Sequence, residues 1–145
     1  MPSMIRLFPF LLLLLFSSCG EEKNDTPIPF ALVNQDINLN LVQYQNLRNM
    51  GGFVYIPQGD NSGFKGLLVY HEGNGIYRVF DRACAFDPYA NCDPLNVDDS
   101  GLFIYHDCCQ SSYDFHGNPI GGPATSSLRQ YDTYVDGIYL IVRNN

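Results

Sequence analysis

The chain is short of positive charge. Lysine and arginine number 8 against 15 aspartates and glutamates, a net charge of -7, and the few cations form no stripe. Nucleic acid is not expected as a partner on that ground, because its phosphates require clustered Lys and Arg. There is no apolar run of about 20 residues, the length that a membrane-spanning helix needs. A phosphate-cradling glycine loop is missing too. So is the DxDxDG-type spacing of a calcium loop. Seven acidic residues do lie between Asp81 and Asp114, opposed there only by Arg82. Scattered in loops, they are expected to be solvated, with calcium binding or the docking of a basic redox partner as alternatives. Finally, no catalytic constellation stands out. Ser111 and Ser112 follow His106 and Asp107 closely, but adjacency along the chain does not bring a nucleophile, a base and its orienter into contact. No enzymatic activity is expected.

Of the 145 residues, the first nineteen, MPSMIRLFPFLLLLLFSSC, read as a targeting segment: Arg6, an apolar run from Leu7 to Phe16, then Ser17 and Ser18 ahead of Cys19. A cysteine directly behind two serines resembles the lipobox of bacterial lipoproteins. The resemblance implies a lipoprotein signal peptide over residues 1–18 and acylation of Cys19 as the mature N-terminus. Residues 19–29, through GEEKNDTPIP, become a polar tether ending in two prolines. The protein is then exported and held by lipid to a membrane of the bacterial cell envelope, on the periplasmic face or the cell surface. The alternative is an ordinary secretory peptide that leaves Cys19 as a free thiol.

Beyond the tether, short segments rich in aromatic and β-branched residues alternate with glycine, asparagine and aspartate, the pattern of strands and turns. GFVYIP (52–57), GLLVYH (66–71), GIYRVFDR (75–82), LFIYH (102–106), RQYDTYV (129–135) and IYLIVR (138–143) are the clearest. Gly73-Asn74-Gly75 and Asp136-Gly137 suit tight hairpins. Only LVQYQNLRNM (41–50), with Leu41, Tyr44 and Leu47 at helical spacing, suggests a helical turn or two. The expectation is an all-β domain of antiparallel strands, a small sandwich or barrel. His71, at a strand end, and His116, in a turn, are expected to be solvated.

Cys19 aside, four cysteines remain, Cys84, Cys92, Cys108 and Cys109, all in two loops that bracket LFIYH. An even number in an exported protein reads first as disulfides, and four cysteines allow three pairings. The second loop opens the stretch HDCCQSSYDFHGNPIGGPA (106–124).

Two cysteine-bearing loops flanking a strand, the second running on into GxxxxGPA, resemble the Rieske family of iron-sulfur domains. There one loop carries C-x-H and the other C-x-x-H, followed by G-S-x-[FY]-D and a later G-P-A. GNGIYRVFDRAC is similar to the strand leading into the first loop, and SLRQYDTYVDGIYLIV to the closing hairpin. The similarity covers residues 30–145. It implies a Rieske-like antiparallel β-sandwich or barrel with a loop-rich, cluster-binding subdomain at about 82–124. Anchored on Tyr113, Asp114, Gly117 and Gly122-Pro123-Ala124, it puts Cys84 on the first family cysteine and Phe86 on the first histidine. His106 falls on the second cysteine and Cys109 on the second histidine, while Gln110-Ser111 stands for Gly-Ser.

For intact members the resemblance implies a [2Fe–2S] cluster and electron transfer to a redox partner. Here the family positions supply at most Cys84, His106 and Cys109, and Cys92 would have to complete the set. The expectation is therefore no cofactor, and a disulfide-stapled binding or structural module. The resemblance pairs Cys108, between the second-loop ligand positions, with Cys92, and leaves Cys84 and Cys109 facing each other across the cluster position. A mononuclear zinc on Cys84, His106, Cys109 and Cys92 is a further alternative by ligand type, although an oxidising compartment competes for its thiolates.

Overall fold

The computed structural model describes residues 26–144, so the signal segment and Cys19 lie outside the described residues. Its strands are β1 (Asn34–Asn38), β2 (Phe53–Ile56), β3 (Leu67–Gly73), β4 (Ile76–Asp81), β5 (Asn96–Val97), β6 (Ile104–His106), β7 (Ser111–Tyr113), β8 (Pro119–Gly121), β9 (Gln130–Asp136) and β10 (Tyr139–Arg143). A 3-10 helix, Val42–Arg48, follows β1. The helical spacing of Leu41, Tyr44 and Leu47 thus becomes a tight helix anchored by one buried residue, Leu47. Among the described residues no helix is long and apolar enough to cross a membrane.

The apolar run Leu67-Leu68-Val69 explains the layering. Successive strand side chains point to opposite faces, so an uninterrupted apolar run needs a core on each side. Leu67 and Val69 enter one core with Val33, Ile37, Leu47, Val79, Tyr131, Leu140 and Val142. Leu68 enters the other with Phe80, Ala83, Leu95, Ile104, Tyr113 and Leu128. Neighbouring β4 splits in the same way, Val79 to the first core and Phe80 to the second. The first core belongs to a six-stranded antiparallel sheet of order β1-β10-β9-β4-β3-β2. The second joins that sheet to a smaller antiparallel sheet of order β5-β6-β7-β8, which carries the cysteine loops.

His71 departs from expectation. It is buried and stacked on its cross-strand partner Tyr77, centroids 4.5 Å apart, and its backbone pairs with that of residues 51 and 52. Neither ring nitrogen has a protein partner. Buried polar atoms without partners cost stability, so His71→Phe, which keeps the ring stack, should raise the unfolding free energy by about 1 kcal/mol. A urea midpoint that falls instead would show that the imidazole is satisfied. His116 is exposed and meets Glu72 at 3.3 Å, as suits a turn residue.

Candidate functional site

The first cysteine loop leaves β4 at Asp81, which is fully buried and saturated with donors. Its carboxylate accepts the N–H groups of Phe64 (2.6 Å), Lys65 (3.1 Å) and Ala83 (3.0 Å), and the hydroxyl of Tyr131 (2.8 Å). The expectation that this aspartate is solvated is corrected here: it pins the 63–65 turn to the start of the loop. Arg82 closes the loop across its base. It donates to the Leu95 carbonyl at 2.7 Å and to Asn96 Oδ1 at 2.6 Å, while its guanidinium stacks 4.1 Å from the Tyr55 ring centroid. Lys65 reaches in to donate to the carbonyl of Ala90.

The second loop is the connection between β6 and β7, residues 107–110. It closes with Gln110 at φ 49°, a left-handed conformation that costs a non-glycine residue about 1 kcal/mol. Gly122 lies directly over this turn at φ 84°, where a Cβ would stand 2.0 Å from the Gln110 carbonyl oxygen. Its neighbour Ala124 donates its N–H to Ser111 Oγ at 3.1 Å. The glycine-proline-alanine segment therefore clamps the second loop through a close approach that only glycine permits.

Between the loops the structure joins Cys84 to Cys109 and Cys92 to Cys108 by disulfides. Cys84 is buried, Cys109 half-buried, and Cys108 lies at the surface. The buried ring of His106 lies against the first bond, Nδ1 3.1 Å from Cys109 Sγ. Nδ1 also accepts the Cys109 N–H at 3.1 Å, and Nε2 lies 2.9 Å from the Asp93 carbonyl. These partners assign the proton to Nε2, since a carbonyl only accepts. Burial pushes the His106 pKa below its usual value, which keeps the ring neutral. On the other side, Phe86 N–H points at Cys84 Sγ from 3.4 Å, and the Tyr113 hydroxyl lies 3.7 Å from it. Tyr113 accepts the Ala85 N–H at 3.2 Å, and burial raises its pKa, so it remains a phenol.

Of the four metal-ligand candidates, the structure thus brings Cys84, His106 and Cys109 together, their ligand atoms all within 4.8 Å of one another. It places Cys92 in the separate bond to Cys108. A two-iron cluster does not fit this set. It requires four protein ligands, with cysteines as thiolates, whereas Cys84 and Cys109 are bonded to each other and the Phe86 side chain is 57% exposed with no donor atom to offer. Three loop carboxylates, Asp98, Asp99 and Asp107, line an open groove of about 440 Å³ with Tyr55, Asn96, Val97 and Tyr105. Their ligand atoms do not converge, since among the described residues the one such group is Cys84, His106 and Cys109.

No family model matches the chain, and no curated protein matches it. Among solved structures it is similar to the crystal structure of the cyanobacterial plasma membrane Rieske protein PetC3 from Synechocystis PCC 6803. The TM-score is 0.50 and the identity 19%, over 63% of this chain and 86% of that one. At that identity the likeness speaks for the fold alone: the chain has a Rieske-like all-β fold.

Proposed function

We propose that the protein is a cluster-free Rieske-like module, lipid-anchored at the bacterial cell envelope, whose two former cluster loops serve binding or structure instead of electron transfer. The bond between Cys84 and Cys109 carries this reading. It occupies the sulfurs that the resemblance assigns to ligand positions, and the Phe86 side chain is turned to solvent where the family has a histidine. With no thiolate pair for either iron, the one-electron chemistry that a cluster would supply has no seat. The anchor rests on the sequence, on Cys19 directly behind Ser17-Ser18 and the apolar run.

Peptide mapping of protein alkylated before reduction tests this function. The account expects Cys84 linked to Cys109, Cys92 linked to Cys108, and none of the four alkylated. Alkylation of Cys84 and Cys109 in the native preparation would overturn it. The anchor is tested separately: Cys19→Ala should move the protein out of the membrane fraction, and full retention there would contradict acylation.

A further inference from the structure

We infer that the Cys84–Cys109 disulfide is the closed state of a redox-gated zinc site, in which reduction frees Cys84 Sγ and Cys109 Sγ to bind one divalent zinc together with His106 Nδ1. The inference goes beyond the proposed function and rests on its claim that the bond is native.

The geometry supports it in three ways. First, the three ligand atoms already lie within 4.8 Å of one another. In a tetrahedral zinc site, bonds of about 2.3 Å to sulfur and about 2.0 Å to nitrogen put ligand atoms roughly 3.5–3.8 Å apart. Once the sulfur–sulfur bond is broken the sulfurs must spread, and the Cα atoms, 7.0 Å apart, leave room for that. Second, His106 is held in the orientation a ligand needs. Its Nε2–H donates to the Asp93 carbonyl, which fixes the tautomer and aims the Nδ1 lone pair at Cys109. Metal-bound histidines are typically oriented by such an outer hydrogen bond. Zinc would replace the Cys109 N–H that Nδ1 now accepts. Third, Cys84 and His106 are 1% and 2% exposed while Cys109 is half-buried. The ion would therefore be shielded on one side and reachable on the other, with a water as its fourth ligand.

The chemistry balances with a dithiol as reductant. It gives two electrons and two protons to the protein disulfide and leaves as a disulfide itself; the two protein thiols then release two protons to water as zinc binds. Two thiolates and a neutral imidazole cancel the charge of the ion. Oxidised protein offers no thiolate here, so the bond acts as the gate.

The test is metal uptake by the purified full-length protein, with a phosphine as reductant so that no added thiol holds the metal. Untreated protein, exposed to zinc and desalted, should retain none at this site. Reduced protein should retain about one zinc per chain. With cobalt in its place, it should show thiolate charge-transfer bands and the ligand-field bands of a tetrahedral site. Cys92→Ser with Cys108→Ser should keep that stoichiometry, and His106→Ala should lose the tetrahedral bands. If reduction loosens the loops, zinc should restore the near-UV circular dichroism, because binding and folding are coupled. Reduced protein that takes up no metal and regains no signal would overturn the inference and leave the proposed function intact. Metal lost in the Cys92/Cys108 variant, or bands unmoved in His106→Ala, would overturn it too. Metal already held by untreated protein on Cys84 and Cys109 would instead overturn the proposed function.

Discussion

Reduction of both disulfides should lower the unfolding free energy by about 6 kcal/mol, a large share of the 5–15 kcal/mol typical of a whole domain. Taken alone, the Cys92–Cys108 bond spans 16 residues and the Cys84–Cys109 bond 25. Chain-entropy arguments value these at about 3 and about 3.5 kcal/mol. The ring closed by Cys92–Cys108 is nested inside the ring closed by Cys84–Cys109, however. With Cys92 bonded to Cys108, the path between Cys84 and Cys109 shortens to roughly ten residues, and closing it then contributes about 2.7 kcal/mol. The bonds are therefore less than additive, and the double variant Cys84→Ala with Cys109→Ala should cost less in oxidised protein than in protein also lacking the inner bond. Urea unfolding with and without reductant measures this. A midpoint that does not move on reduction would mean that the loops are held by packing alone.

Asp81→Ala should be as severe without touching a cysteine. It leaves the buried N–H group of Ala83 and hydroxyl of Tyr131, and the part-buried N–H groups of Phe64 and Lys65, without their acceptor. At about 1–3 kcal/mol per unsatisfied group the loss should exceed about 4 kcal/mol, a fall of roughly 15 °C in Tm for a domain of this size. Asp81→Asn should also fail, because its amide nitrogen would face donors with another donor. Burial, together with the Asp81 carboxylate, pushes the Tyr131 pKa well above the usual phenol range, so Tyr131 remains a donor throughout the folded range. A drop of less than 2 °C in either variant, by calorimetry, would show that water takes over the role of the carboxylate.

Much of the fold was legible because it is written in periodicity. Leu67-Leu68-Val69 and the closing segments β9 and β10 carry enough apolar, β-branched and aromatic residues to be read as strands without any knowledge of their partners. β1 (NQDIN) was not, since Ile37 is its one buried residue and its pairing with β10 makes it a strand. β5, β7 and β8, two or three residues each, exist only because the chain elsewhere offers matching backbone. The same limit explains the misread side chains. Nothing near Asp81 in sequence reveals that Phe64, Lys65 and Tyr131 fold onto it, and nothing beside His71 reveals that residues 51 and 52 pair with its backbone. At the site, the resemblance to the Rieske family suggested that Cys84, His106 and Cys109 belong together. The inward turn of the His106 ring and its hold on the Asp93 carbonyl depend on the 82–96 loop folding back, which composition does not encode.

The central claim is that the two loops close on a sulfur–sulfur bond in place of a cluster. It is tested most directly by the iron and acid-labile sulfide content of the natively expressed protein, purified without air, alongside its visible spectrum. The account predicts a colourless protein with neither element at stoichiometric level. Two irons and two sulfides per chain, with the red-brown colour of a [2Fe–2S] centre, would contradict it.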